Sequence, residues 1–388
     1  MINKEVVLKR GRTTYKIEGF LIHKVVEVDA ILILQEEKPL KKKEEQFFNI
    51  AFSSLLNPYF RAMKFQELKS ILNRQPAVFI VTHKNPDGDA MGSSLGLAGV
   101  LKKKGCKVTV VAPTEYPAFL RWIKGNDEVL TWGEDNESIK ARAKEAEVLF
   151  CLDFNALHRI EEVGDLVQDA SGKKVMIDHH QQPDDFADLM ISETTASSTA
   201  EMVYEFIERL GDEELIDGDL GEALYCGIMT DTGSFRFPST TPNTHRVAGE
   251  LIKKGADHSM VHRRIYDSNT KRRLKLLGHC LMNMEVLDNQ KTALFKITKE
   301  DHKTFNIQKG DTEGIVNYGL SMPHIKCAAF FREDKNIIKI SFRSKDDFDV
   351  NKFARTHFNG GGHINAAGGM SSDSLEDAIE KFKKNIHA

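Results

Sequence analysis

Paired cysteines are the first thing this sequence lacks. Cys106, Cys151, Cys226, Cys280 and Cys327 are widely spaced and form no C-x-x-C pair, which excludes a disulfide framework and a zinc knuckle and leaves buried, reduced thiols as the expectation. Long apolar runs are lacking too: the longest, such as Ala30 to Leu34 and Val108 to Ala112, have the length of strands and fall far short of a membrane span. The opening Met1-Ile-Asn-Lys-Glu has neither the continuous apolar core nor the small-residue cleavage site of a secretory signal, so the cytoplasm is the expected setting and no membrane partner is expected. A strong excess of either charge is also missing. A net charge of -3 is a poor footprint for gripping long DNA or RNA through many phosphates, so a nucleic-acid ligand is expected to be short and bound locally.

What is present is an ordinary globular composition, 41% hydrophobic and 29% charged, over 388 residues, enough for two domains that each bury a core. Residues 1–62 stand apart as an N-terminal extension of no evident catalytic content, with strand-like runs at Val6 to Leu8, Phe20 to Ile22 and Ile31 to Leu34 and a charged stretch at Lys38 to Glu45. They carry 11 Lys and Arg against 8 Asp and Glu, leaving 43 against 49 for the rest, so the acidic excess lies in residues 63–388.

From Met63 strands and helices alternate. Val78 to Thr82, Lys107 to Ala112, Glu147 to Leu152 and Lys174 to Ile177 read as strands. Asp89 to Lys104 reads as a helix, with Met91, Leu95, Ala98 and Leu101 at helical spacing and Gly105 ending it. The fold class is therefore α/β, a parallel sheet wrapped on both faces over residues 63–252, whose ligands gather at the carboxyl ends of the strands. A basic helical stretch at 253–278 reads as a linker. A smaller α/β unit follows at 279–388, with strands expected at Thr292 to Ile297, Ala328 to Phe331 and Ile337 to Phe342 and a final helix at Leu375 to Ile386.

Polar residues that directly follow strands carry the chemistry. His83-Lys-Asn-Pro-Asp87-Gly-Asp89 puts three potential ligands within seven residues on a turn tightened by Pro86 and Gly88. Helix capping would explain one carboxylate, but not a His and two Asp. Asp153 follows the third strand and Asp178-His179-His180 the fourth, while Asp231 ends an apolar helix-like stretch. Together His83, Asp87, Asp89, Asp153, His179 and Asp231 form a hard, oxygen-rich set without thiolate, suited to two divalent ions, Mn²⁺ or Mg²⁺, rather than to structural zinc. Four clustered carboxylates without cations would repel one another. In the smaller unit Gly360-Gly361-Gly362-His363 can expose successive backbone N–H groups as an anion-binding concavity, with an ordinary turn as the alternative. Ser198-Thr-Ala-Glu201 reads as a helix-capping box.

These motifs, in this order and completed by Gly360-Gly-Gly-His363-Ile-Asn-Ala-Ala-Gly368, resemble the DHH/DHHA1 phosphoesterases, especially the nanoRNase/pAp-phosphatase branch, over residues 63–388. The resemblance implies a DHH domain holding two metals, a linker, and a smaller DHHA1 domain that binds a nucleotide across the cleft. It places His83 and Asp87 on one metal, Asp89 and His179 on the other, and Asp153 and Asp231 shared between them. Asp178 would orient the histidines, and His180 would face the scissile phosphate as a catalytic group beside Asp153. Arg343, Ser344, Gly361, Gly362 and His363 would contact the nucleotide, with Arg236 a weaker candidate. The implied activity is Mn²⁺-dependent hydrolysis of very short oligoribonucleotides to mononucleotides, together with removal of the 3'-phosphate of pAp. A linear or cyclic dinucleotide phosphodiesterase (pApA, c-di-AMP) and a non-catalytic nucleic-acid-binding protein are the alternatives, and a homodimer is compatible with either.

Overall fold

The computed structural model describes residues 62–334 and 337–387, together with three short strands nearer the N-terminus. Those strands, β1 (Val7–Arg10), β2 (Thr13–Lys16) and β3 (Ile31–Ile33), pair antiparallel in the order β2-β1-β3 within a unit that ends at Met63. The expected runs at Phe20 to Ile22 and Lys38 to Glu45 lie outside the described residues.

The second unit, Lys64–Ala388, contains two six-stranded sheets. Most of helix α1, residues 62–72, lies within it. The first sheet follows: β4 (Ala77–Val81), β5 (Lys107–Ala112), β6 (Leu130–Thr131), β7 (Val148–Leu152), β8 (Lys173–Asp178) and β9 (Leu189–Ser192), all parallel in the order β6-β5-β4-β7-β8-β9. Because side chains alternate along a strand, each central strand serves two cores. Val78, Ile80, Phe150 and Ile177 point to one, and Phe79, Val81, Cys151 and Met176 to the other. Helices α2 (Gly88–Lys103), α5 (Thr199–Leu210) and α6 (Gly218–Asp231) cover the first face, and α3 (Asn136–Glu145) and α4 (Val163–Asp169) the second.

Strand order reverses at β4: the chain runs outward to β5 and β6, then returns to place β7 on the opposite side. Such a reversal opens a crevice at the carboxyl ends of the two flanking strands, and His83 and Asp153 follow β4 and β7 there. Helices α2 and α6 approach closely at glycines. A Cβ on Gly92 would lie 2.3 Å from the Ala223 carbonyl, and one on Gly227 only 2.8 Å from Asp89 Oδ1. This closeness lets Asp231, one turn past Gly227, reach the strand ends.

The stretch expected as a linker is divided between the two cores. α7 (Pro242–Lys253) and α8 (His258–Tyr266) bury Val247, Val261 and Ile265 in the first core, whereas α9 (Lys271–Met282) buries Leu276 and Cys280 against the second sheet. Residues 267–270 make the crossing.

The second sheet has the order β10-β11-β12-β13-β15-β14, mixed in direction: β10 (Glu285–Leu287), β11 (Thr292–Ile297), β12 (Cys327–Asp334), β13 (Ile337–Ser344), β14 (Gly361–His363) and β15 (Ala366–Ser371). α10 (Lys299–Thr304), α11 (Val350–His357) and α12 (Leu375–Asn385) complete it, and Phe331, Phe342, Phe353, Phe358 and Phe382 pack in its core, mostly edge to face with Phe342 stacked on Phe382. The glycine cluster is not a free turn but the edge strand of a hairpin with β15. Among the described residues no helix is long and apolar enough to cross a membrane.

Candidate active site

Each ligand candidate is placed by the first turn after a strand or by a helix end. Asp87 caps α2, its Oδ1 accepting from the Asp89 and Ala90 amides at 3.0 Å, and its side chain remains half-exposed. His83 donates Nδ1–H to the Lys84 carbonyl at 2.7 Å, which turns Nε2 toward Asp153 Oδ2 (3.4 Å) and Asp87 Oδ1 (3.8 Å). His179 Nε2 faces Asp231 Oδ2 at 3.4 Å, Asp153 Oδ1 at 3.7 Å and Asp89 Oδ2 at 3.8 Å. Asp153 adopts a left-handed backbone, φ +66°, sparsely populated for a residue with a side chain and recurrent at functional sites.

The six residues fall into two groups whose ligand atoms lie within 4.8 Å of one another: His83, Asp87 and Asp153, and Asp89, His179 and Asp231. Asp153 faces both, one oxygen toward His83 and the other toward His179. Asp178, fully buried, accepts from His180 Nδ1 (2.6 Å) and from the His180 amide (3.0 Å), fixing that ring and leaving Nε2 free.

Crowding shows in the electrostatics. Burial first, then Asp153, Asp231 and Asp87, push Asp89 well above the usual carboxylate range. Burial likewise pushes Asp231 up to about 6, with Asp87 and Asp153 adding to it and His179 and His180 opposing. Burial works against charge on both members of the His83–Asp153 pair, yet their mutual bond prevails, lifting His83 to about 10 and holding Asp153 far below its ordinary value. Divalent cations would relieve the repulsion among these carboxylates, and two imidazoles with four carboxylates are a fitting donor set for hard or borderline ions.

The opposite wall comes from the second sheet. His363 at the end of β14 stacks on His180 (centroids 4.3 Å, 30°) and tilts over His179 (4.7 Å). Burial, then the neighbouring His180 and His179, push its imidazole down to about 2. A cleft of about 290 Å³ lies between the walls, lined on one side by His83, Asp153, Arg159, His180 and Asp231 and on the other by Ser341, Arg343, Gly361, Gly362 and His363.

Two expected contacts are not brought there. Ser344 is buried, donating to the Phe348 carbonyl (2.6 Å) and accepting from Asn365 Nδ2 (3.0 Å), because strand alternation sends Ser341 and Arg343 into the cleft and Phe342 and Ser344 inward. Arg236 is exposed, bonded to the Gly233 carbonyl at 2.7 Å, and does not line the cleft. The glycine concavity is also corrected: the Gly360 amide donates to Ala354 O (3.3 Å) and the Gly362 amide to Asn351 Oδ1 (2.9 Å), so neither is free for an anion. Arg159 and Ser341 were missed. For Ser341 the signal was available, two residues before Arg343 on one strand face. For Arg159, in the short 3₁₀ turn Leu157–Ile160, no sequence signal existed.

Similarity to known proteins follows the same division. The DHH family N-terminal domain matches residues 77–228, and the DHHA1 domain matches 291–388. The chain is 30% identical over 303 residues to the bifunctional oligoribonuclease and PAP phosphatase NrnA of Bacillus subtilis, covering 78% of this chain and 91% of that protein. It is 30% identical over 310 residues to NrnA of Thermus thermophilus, covering 80% and 89%. The crystal structure of an exopolyphosphatase-related protein from Bacteroides fragilis superposes with a TM-score of 0.80 at 40% identity, over 82% of this chain and 94% of that one. Motif order, paired clusters, glycine-histidine hairpin and near full-length similarity agree: the chain belongs to the DHH/DHHA1 phosphoesterase family, in its nanoRNase and pAp-phosphatase branch.

Proposed function

We propose that this chain is a divalent-metal-dependent cytoplasmic hydrolase that cleaves very short oligoribonucleotides to mononucleotides and removes the 3'-phosphate of pAp. The observation that carries the proposal is the pair of carboxylate–imidazole clusters joined by Asp153 and faced across a narrow cleft by His363 and Arg343. The names of the Bacillus and Thermus relatives support the same substrates.

His83, Asp87 and Asp153 would hold one ion and Asp89, His179 and Asp231 the other, with Mn²⁺ the best match to the mixed donors and Mg²⁺ the alternative. Bound there, such ions would supply Lewis acidity toward the phosphoryl oxygens and make a water acidic enough to lose a proton near neutral pH and so become the nucleophile toward phosphorus. The protein's own groups orient the phosphate. Arg343 from one wall and Arg159 from the other present guanidinium donors that match its non-bridging oxygens. His180, fixed through Nδ1 by Asp178, presents Nε2 to the cleft, where its protonated form can give a proton to the leaving oxygen as the phosphorus–oxygen bond breaks. His363, stacked on His180, and the thin Gly361–Gly362 edge admit and position the nucleotide. A cleft of about 290 Å³ suits one or two nucleotides rather than a folded nucleic acid.

The test is turnover of pAp, pApA, a five-nucleotide RNA and a 24-nucleotide RNA by the full chain with Mn²⁺. The short substrates should be hydrolysed, the long one spared, and EDTA should abolish turnover. Full activity in EDTA, or equal rates on the longest RNA and pApA, would overturn the proposal.

A further inference from the structure

We propose that Thr199, the first residue of α5, is a positioning residue for the paired metal centre, its hydroxyl fixing Asp153 while its backbone fixes Asp89. The inference rests on reading the two clusters as metal sites. Thr199 Oγ1 donates to Asp153 Oδ1 at 2.9 Å, the Thr199 amide donates to Asp89 Oδ2 at 2.7 Å, and the Ala200 amide donates to Asp89 Oδ1 at 2.9 Å. One fully buried residue therefore touches a carboxylate from each cluster.

Asp153 needs such an anchor. Its two oxygens must face different imidazoles, Oδ2 toward His83 and Oδ1 toward His179, and its left-handed backbone leaves the side chain's direction to its own torsions. The Thr199 hydroxyl, donating to Oδ1, sets the carboxylate plane. For Asp89 the two amides at the start of α5 do the same, each oxygen accepting one bond.

Helix capping alone does not account for this arrangement. The cap requires Ser198, whose Oγ accepts from the Glu201 amide at 3.1 Å, and it asks nothing of Thr199. Nor does capping explain Glu201, which is 2% exposed and bonds to Ser197, Asn243 and Thr244 rather than to the cap residue Ser198. Its carboxylate accepts from the Ser197 amide (3.3 Å), the Ser197 hydroxyl, Thr244 Oγ1 (2.9 Å) and Asn243 Nδ2 (2.6 Å), all neutral donors. A buried carboxylate is tolerated only when fully bonded. Fully bonded, it braces the start of α5 against α7 and so holds Thr199 still.

The test compares Thr199→Val, which keeps the shape and the amide but removes the hydroxyl, with Thr199→Ser, which keeps both donors. Mn²⁺ is titrated calorimetrically into the metal-free full chain, and kcat and KM are measured on pApA. Thr199→Val should weaken Mn²⁺ binding about 10- to 100-fold, as losses of such supporting partners do, and lower kcat more than it raises KM. Thr199→Ser should restore both, and the metal-free melting temperatures should agree. If Thr199→Val does not fold, Glu201→Gln carries the test, with weakened Mn²⁺ binding expected and unchanged binding overturning the proposal. Wild-type affinity in Thr199→Val, or equal loss in Thr199→Ser, would also overturn it. Failure of the wild-type chain to bind Mn²⁺ would instead overturn the metal reading beneath it.

Discussion

The half built on β4–β9 buries seven Asp, Glu and His side chains, His83, Asp89, Asp153, Asp178, His179, His180 and Glu201, while in the half built on β10–β15 Asp311 is the one buried Asp, Glu or His among the described residues, and it is paired with Arg272 at 2.9 Å. The first half thus concentrates unfavourable electrostatics at the mouth of its sheet. The second keeps an aromatic core and offers the cleft a guanidinium, an imidazole and bare glycine backbone. The contrast fits the division of labour in the proposed function, in which the crowded half would perform the chemistry and the conventional half would capture the substrate. A site whose groups conflict in isolation is a site arranged for something that resolves the conflict.

The contrast can be broken first at Asp153, where both clusters meet. Asp153→Ala should lower kcat/KM for pApA by about 10³-fold, the scale on which a preorganised electrostatic group is lost, with far-UV circular dichroism unchanged. Substantial residual Mn²⁺-dependent turnover would show that the clusters do not work as a pair.

On the other wall, Arg343→Ala should lower kcat/KM by about 10²-fold, consistent with the ~1.5–3 kcal/mol of a charged hydrogen bond. Ser344→Ala should reduce the melting temperature and leave KM for pApA unchanged, because its hydroxyl serves the Phe348 and Asn365 contacts. A KM effect at Ser344 would return that residue to the cleft.

The pH dependence of stability sharpens the electrostatic side. Asp231, raised from 3.8 to about 6, stabilises the metal-free fold fully below 3.8 and loses that contribution as pH climbs through about 6. His83, raised from 6.5 to about 10, gives a contribution that is complete below 6.5 and lost as pH climbs through about 10. Both act in one direction, so these two groups weaken the metal-free protein as pH rises, while metal binding gains from deprotonated ligands. The rise in melting temperature on adding Mn²⁺ should therefore be larger at pH 8 than at pH 5. A shift that shrinks with pH would contradict the cluster's electrostatics.

The smallest effect is expected from removing residues 1–62, which lie outside both matched family regions. A chain beginning at Met63 should fold and cleave pApA with a kcat/KM close to that of the full chain, measured side by side. Insolubility or inactivity would make the N-terminal segment part of the working enzyme.

Much of the architecture was legible because short continuous apolar runs such as Val148–Leu152 mark strands buried on both faces, and residues following them lie by topology at one sheet edge. His83, Asp87, Asp153 and the Asp178–His180 run were found that way. What could not be read depended on partners distant in sequence. Thr199 looks like part of an ordinary cap until Asp89 and Asp153 are seen on it. Residues 253–278 look like one basic helical linker until α8 and α9 bury opposite ends in different cores. The resemblance implies a nucleotide contact at Ser344, but strand alternation turns its hydroxyl to Phe348 and Asn365; the anion-binding concavity expected at the glycines is filled because Asn351 and Ala354 take two of its amides and β15 supplies a strand partner.

The division of labour is tested most directly by kcat/KM of His363→Ala on pApA and on bis-p-nitrophenyl phosphate, read as lost transition-state stabilisation. His363 sits on the capturing half but stacks on His180 of the reacting half. The account predicts a large loss on the dinucleotide and a small one on the generic diester, with Mn²⁺ binding unchanged. Equal losses on both substrates would contradict it, placing the glycine-histidine hairpin in the reaction centre itself.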